Sequence, residues 1–526
     1  MTTWTMLYVG AVLLRVACIF SMGMVHPDEF FQCPEVMAGA VYNASNVFIP
    51  WEYQPAAPNR SILFPSIVAG IPYAIAKALG VAPSGLLFLL VPRAILTALT
   101  FSFDFAIYKL AHAFGVDFRA PLLTFATSWT TLVLLTRSFS NAFEAWLAML
   151  SFAVLHTIQP AAYAGVFSKK TLLLGVLLAL GSFTRFTFIL FFLPVGVALV
   201  LENDAALCTV LAKKSDGSAP SWPRRLLGVL ETALGGAFAF GVTATACVLA
   251  DTWYFRGPAA LSNAPEWVVA PVNNMLYNLD PAHLAEHGIH PRTNHWCLNM
   301  QMLFGPLPAL ALYHGRRRAG LLLAAVVVPV TLLSLAPHQE ARFLLPVVFP
   351  LMLLAGPSMA ASKLLQAVWV VFNAALVLWF GVLHQGGLVP LLLSATPGAP
   401  TPLCTNVSLA NVHTILITGT YMPPRFALSP ENITVVDERL ENMHGPIKAL
   451  LDTLPQTPGR TGIAFVFPAP WRADVEAVVA QHPGLALDED SAGACGPFLS
   501  VESLPPDVLD VTQWSLRVQH VVRLTP

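Results

Sequence analysis

The sequence predicts a polytopic α-helical membrane protein that ends in a small C-terminal α/β domain. Three observations predict it. The chain is 56% hydrophobic and only 11% charged over 526 residues, with a mean hydropathy of +0.65. No soluble domain of that size hides so much apolar surface behind so few charges. Apolar runs long enough to span a bilayer, or nearly so, recur as far as about residue 386. Beyond that point charges are spaced as in a solvated domain, among the strand-like runs ILITGT, ITVVDE and GIAFVFP and the helix-like run ADVEAVVAQH. The expected division is therefore a membrane domain over 1–386 and a C-terminal domain over 387–526. A formal net charge of −1 argues against a nucleic-acid partner.

The runs follow in order at roughly 5–24, 61–80, 86–110, 120–136, 141–158, 171–186, 187–201, 226–250, 299–313, 319–336, 343–361 and 366–384, about ten to twelve helices. The first is too long for a cleaved signal, carries Arg15 and lacks a small-residue cleavage site, so it reads as a retained signal anchor. Two signals orient the chain. Glycosylation sequons stand at Asn43, Asn59, Asn406 and Asn432, all in the first loop (25–60) or the tail. The basic pairs Lys169 and Lys170, Lys213 and Lys214, Arg224 and Arg225, and the triplet 316–318, fall in other loops, as expected for the cytosolic side. Alternation then places the first loop, Arg185, a large loop at 251–298, the stretch 338–342 and the tail together on the lumenal side. The parity before Lys169 requires 120–136 or 141–158 to be a re-entrant half-helix lining a cavity. Seven cysteines show no CxxC pair and no zinc spacing; Cys404 and Cys495 could pair if the tail is lumenal.

Charged groups in so apolar a chain narrow the chemistry. Asp28 and Glu29 follow the first helix in VHPDEFFQ, where Pro27 makes the segment a stiff loop. A carboxylate at a lipid–water boundary can take a proton from a hydroxyl while meeting a lipid-borne substrate, with His26 and Gln32 placed to position it. Arg93 and Arg137 read as snorkelling to the interface. Arg185, between two apolar runs, suits a lipid-linked phosphate. PHQEARFLLP packs His338, Gln339, Glu340 and Arg342 before an apolar run, a mixed-sign group better suited to a polar head group than to anchoring. No GxxxxGK, GxGxxG, HExxH or GxSxG motif occurs, so a sugar donor would be lipid-linked sooner than a nucleotide sugar. A transporter or flippase is the competing class, although no internal repeat of the transporter kind is present.

His26-Pro27-Asp28-Glu29 resembles the HPDE motif of the GT-C class mannosyltransferases that use dolichyl-phosphate mannose. Further matches follow in order: Pro50-Trp51-Glu52-Tyr53, Arg60-Ser61, Arg137-Ser138-Phe139-Ser140-Asn141 with Glu144, and HQEARFLLP from His338. Within the family, the HPDEFFQ form, HGIHPR and TYMPPR most resemble the branch that adds the fourth mannose to glycosylphosphatidylinositol (GPI) precursors. Cys33 stands where Ser is expected, and Arg185 precedes Phe186 where many relatives have Pro. The resemblance implies a GT-C architecture with a C-terminal lumenal domain in the endoplasmic reticulum membrane. It also implies an inverting transfer of mannose from dolichyl-phosphate mannose to the third mannose of a GPI precursor, giving an α-1,2 link. Asp28 would be the base, with Glu29 assisting. Substrate binding would draw on His26, Gln32, Glu52, Arg60, Asn141, Glu144, Arg185, His338, Gln339, Glu340 and Arg342. No cofactor and no metal are expected. The alternatives inside the class act on the third GPI mannose or on a lipid-linked N-glycan precursor.

Overall fold

The computed structural model describes residues 2–158, 165–214, 220–280, 282–283, 288–315, 320–396, 403–451 and 459–524. The basic triplet 316–318 and His287 lie outside them. Six helices among the described residues are long and apolar enough to cross a membrane: Thr3–Phe20, Gly85–Phe114, Phe188–Lys213, Trp222–Arg256, Ala341–Ala361 and Lys363–Leu383. Other apolar runs form shorter helices, among them Leu63–Ala78 and Gly320–Leu333, Ser140–Thr157 and Lys169–Thr184. The 120–136 run is broken into a helix over Arg119–Ala126 and a π-helical turn over Thr130–Leu134. At the break the Trp129 backbone N–H donates to Asn373 Oδ1 at 2.7 Å, and the Trp129 indole donates to the Leu303 carbonyl at 3.0 Å. Buried irregular backbone is tolerated where protein groups satisfy it in this way.

The chain divides into two compact units. One comprises residues 1–16, 50–64 and 95–373; the other comprises 17–49, 65–94 and 374–526. In the first unit the helices Lys169–Thr184 and Trp222–Arg256 approach closely, because a β-carbon at Gly175 would collide with the Gly236 carbonyl. Such small-residue contacts are how helices pack where lipid removes the hydrophobic driving force. Arg15, which interrupts the first apolar run, is fully buried and pairs with Asp104 at 3.1 Å. The Tyr8 hydroxyl donates to the same carboxylate at 2.7 Å. A charge inside an apolar span is accounted for by a partner.

The second unit is built on a seven-stranded sheet: β1 (Cys404–Thr405), β2 (Thr414–Ile417), β3 (Thr434–Asp437), β4 (Gly459–Pro468), β5 (Leu485–Leu487), β6 (Gly493–Cys495) and β7 (Leu516–Arg523). The order is β1-β6-β7-β4-β2-β3, with β5 also on β7. β2 lies parallel to β3 and β4, while β7 pairs antiparallel with β4. The strand-like runs of the tail form β2, β3 and β4, and the helix-like run forms Arg472–Ala480. That helix buries Val475 and Val479 with Leu416, Phe465 and Phe467 in one core, so the tail is a folded α/β element. Cys404 and Cys495 face each other across β1 and β6 and form a disulfide. Residues 17–49 belong to this unit through direct backbone contact. Gly23 N–H donates to the Gly381 carbonyl and Met24 N–H to that of His384, both at 2.8 Å. A β-carbon at Gly23 would lie 2.6 Å from Gly381 C, so no other residue fits there without a shift.

Candidate active site

The second unit carries the two acids. Pro27 opens a single helical turn over Asp28–Phe31, so the stiff loop expected from the proline is a helix start. Successive helical residues point about 100° apart, since a turn takes 3.6 residues, and the two acids meet different surroundings. Glu29 is 1% exposed and lies 3.8 Å from the equally buried Arg93. Its Oε1 accepts the Val25 N–H at 3.2 Å. Arg93 also donates to the Ser21 carbonyl at 2.7 Å and stacks over Phe30. Arg93 therefore does not snorkel: it is spent on a buried carboxylate and on the chain end that precedes the acids. The Asp28 side chain remains 27% exposed. Gln32, one turn on, donates to Asp28 Oδ2 at 2.8 Å, and His26 Nδ1 accepts the Asp28 backbone N–H at 3.2 Å.

The tail contributes to the same surroundings. Tyr421 lies 6.5 Å from the His26 ring and 5.2 Å from that of His384, and its N–H donates to Gln385 Oε1 at 3.2 Å. Glu35, fully buried on the helix Pro34–Tyr42, accepts the N–H of Phe48 at 2.9 Å and of Phe426 at 3.1 Å. One carboxylate thus joins both ends of the 34–48 segment to the tail. Burial pushes its acid up to about 8, against the two backbone donors and nearby Arg425.

The first unit gathers three arginines, each with its own carboxylate. Arg60 Nε donates to Glu52 Oε1 at 2.8 Å. Arg185 Nε lies 3.4 Å from Glu144 Oε2, and its Nη1 donates to Ser140 Oγ at 3.2 Å. Arg342 Nε donates to Glu340 Oε2 at 2.5 Å. Arg60, Arg342 and Glu340 all bear electrostatically on Arg185, and Arg185 and Arg342 both stack on Phe343. His338 Nε2 donates to Glu340 Oε1 at 2.9 Å and its Nδ1 faces the Gly288 carbonyl at 3.3 Å. Acceptors at both ring nitrogens favour the imidazolium, and the Glu340 bond leads in raising the His338 pKa. The cluster is a set of forked and point donors already balanced by carboxylates, a chemistry suited to an incoming phosphate.

Some predicted site residues serve the scaffold. Gln339 is 1% exposed and fully used. Its Oε1 accepts the His295 N–H at 2.9 Å, and its Nε2 donates to the Ser334 and Ala336 carbonyls. Its amide braces the loop through these bonds. Asn141 and Glu144 are wholly buried; Glu144 accepts from Thr187 at 3.0 Å and lies 3.4 Å from Arg185. Arg137 is also fully buried and does not snorkel. Asn43, Asn406 and Asn432 are exposed, but Asn59 is 8% exposed. Its sequon hydroxyl, Ser61 Oγ, donates to Asp251 at 2.9 Å, which leaves no place for a glycan.

Sequence reading missed Glu35 and Asp251, and gave no role to Ser140 and Tyr421 although both lie in the quoted motifs. Asp251 had a signal, an acid in the apolar helix Trp222–Arg256; it holds Ser61 and the Ile62 N–H, each at 2.9 Å, next to Arg60. Glu35 had none, because its partners are backbone groups. Among the described residues no group of three or more His, Cys, Asp or Glu is arranged to hold a metal ion.

The Alg9-like mannosyltransferase family matches residues 4–421. The chain is 37% identical over 462 residues to GPI alpha-1,2-mannosyltransferase 4 of Homo sapiens, covering 80% of this chain and 76% of that protein. It is 32% identical over 411 residues to GPI mannosyltransferase 4 of Aspergillus oryzae, covering 74% and 70%. Among solved structures, ArnT from Cupriavidus metallidurans bound to undecaprenyl phosphate aligns over 99% of this chain and 98% of its own at a TM-score of 0.48 and 11% identity.

Proposed function

The chain belongs to the Alg9-like mannosyltransferase family, and we propose that it transfers mannose from dolichyl-phosphate mannose to the third mannose of a GPI precursor. The reaction is an α-1,2 transfer, carried out at the lumenal face of the endoplasmic reticulum membrane. A GPI acceptor is supported by the two relatives named for GPI mannosylation. The lumenal side is supported by the disulfide between Cys404 and Cys495, since disulfides persist in oxidising compartments. A transporter, the competing class, does not belong to a family of transferases.

The observation that carries the mechanism is the division of labour between the two acids. Glu29 is buried against Arg93, while Asp28 keeps a partly exposed carboxylate braced by Gln32. Asp28 is the general base. The acceptor hydroxyl oxygen attacks the anomeric carbon, its proton passes to Asp28, and the bond from that carbon to the phosphate oxygen breaks with inversion. Dolichyl phosphate leaves carrying the extra negative charge. No general acid is required for such a leaving group, and the arginines of the first unit, Arg60, Arg185 and Arg342, have the chemistry to bind a phosphate. Metal-independent catalysis is part of the proposal, so EDTA leaves turnover unchanged.

The test is an assay of the purified chain with synthetic dolichyl-phosphate mannose and a trimannosyl GPI acceptor. Transfer is expected, and Asp28→Asn lowers it by about 10²–10⁴, the range for removing a positioned general base. Transfer only to an N-glycan precursor would overturn the acceptor; full turnover by Asp28→Asn would overturn the base.

A further inference from the structure

The first unit holds an open groove of about 370 Å³, lined by Ala56, Pro58, Arg256, Glu266, Trp267 and Asn273 among others. The volume lies within the range of small-molecule sites, about 300–1,000 Å³. The floor comes from the first loop, whose small residues and prolines leave the space open. The walls come from the end of the helix Trp222–Arg256 and from the large loop that follows it. The groove wall is held in place. Asn273 Nδ2 donates to the Pro58 carbonyl at 2.8 Å, and Asn263 Nδ2 to Glu266 Oε1 at 2.7 Å. Val268, beside Trp267, donates its N–H to the buried Thr252 hydroxyl at 2.9 Å. The Trp267 indole N–H donates to the Leu261 carbonyl at 3.2 Å, yet the side chain is 40% exposed.

A tethered, exposed indole flanked by a carboxylate, a guanidinium and an amide has the chemistry of sugar recognition. The ring face takes the apolar C–H side of a hexose, and both donors and acceptors are at hand for its vicinal hydroxyls. A Trp serving as an interfacial membrane anchor would not need charges of both signs in a concave wall. Arg60 of the cationic cluster follows the lining residue Pro58 by two positions in the same loop. We infer that this groove is a subsite for the mannose-containing glycan of the acceptor, with Trp267 as its stacking platform. The inference rests on the mannosyltransferase reading above and adds where the acceptor glycan is held.

The test uses the full chain with dolichyl-phosphate mannose at saturation and the trimannosyl GPI acceptor varied. Trp267→Ala is expected to raise the acceptor KM about tenfold, the factor that 1.4 kcal/mol represents, with kcat and donor KM held within twofold. Trp267→Phe, which keeps a ring face, is expected to restore most of the loss, and Glu266→Gln to raise the acceptor KM severalfold. Saturation-transfer NMR with soluble α-1,2-mannobiose gives a readout independent of turnover: contact is expected with the wild-type chain and with Asp28→Asn, and is lost in Trp267→Ala. An unchanged acceptor KM in a well-folded Trp267→Ala, or mannobiose contact that persists in it, overturns the subsite. Weaker partition of Trp267→Ala into liposomes with acceptor KM unchanged overturns it in favour of a membrane anchor. Failure of the wild-type chain to transfer to this acceptor overturns the underlying reading instead, and the mannobiose contact still reports on the groove.

Discussion

Adjacent acids in one turn have opposite fates here, and their variants should separate. Glu29 is sealed against Arg93 with both side chains 1% exposed. Removing one member of a buried pair leaves an uncompensated charge, at a cost of about 3–5 kcal/mol. Glu29→Gln is therefore expected to lower the thermal unfolding midpoint of the purified chain by several degrees, whereas Asp28→Asn leaves the midpoint nearly unchanged and removes turnover. His338 provides a second test. Its folded pKa is raised by the bond to Glu340, so its stabilising charge is fully present below the ordinary histidine range and is lost as pH rises through the raised value. The midpoint of the wild-type chain is expected to fall over that interval, and His338→Gln to flatten the dependence. Both acids and His338 were legible in the sequence as charges where charges are costly. Their division into scaffold and chemistry was not, because it depends on burial and partners.

At the scale of elements, the segment that follows the acids is clamped by a single buried carboxylate. Glu35 takes backbone N–H groups from Phe48 and from Phe426 in the tail, and the neighbouring Arg425 stacks over Phe48. Its folded pKa of about 8 lies above the ordinary 4.5. The acid's contribution to stability is thus present below about 4.5 and is lost as pH rises through about 8. Hydrogen exchange of the Phe48 and Phe426 amides, corrected for intrinsic rates, is expected to quicken between pH 6 and 9. Glu35→Ala should exchange fast at both, since neither amide keeps its acceptor. The strands and helix of the tail were readable because alternation and helical periodicity are local signals. The break in the 120–136 run was not legible as such, since a local apolar pattern does not record where backbone groups find remote partners. That partner is Asn373, 244 positions from Trp129, which receives the freed N–H.

For the molecule as a whole, the sequons provide a map of orientation. Asn43, Asn406 and Asn432 are exposed, whereas Asn59 is buried with Ser61 bonded to Asp251. Single Asn→Gln variants expressed in cells and treated with endoglycosidase are expected to show one lost glycan each at 43, 406 and 432, and none at 59. A shift for Asn59→Gln would contradict the packing, and no shift for any of them would contradict a lumenal tail. The sequence by itself determined that this is a multi-span membrane protein with a folded tail, and which motif carries its acids. Composition and periodicity are sums over neighbours along the chain, and motifs are contiguous. Only the tertiary structure decided that residues 17–49 share a compact unit with the tail, that Arg93 is consumed by Glu29, and that Gln339 braces a loop. Only it placed Arg60 and Arg342, nearly 300 positions apart, each within electrostatic reach of Arg185. Those outcomes turn on desolvation and on partners remote in sequence, which no local pattern records.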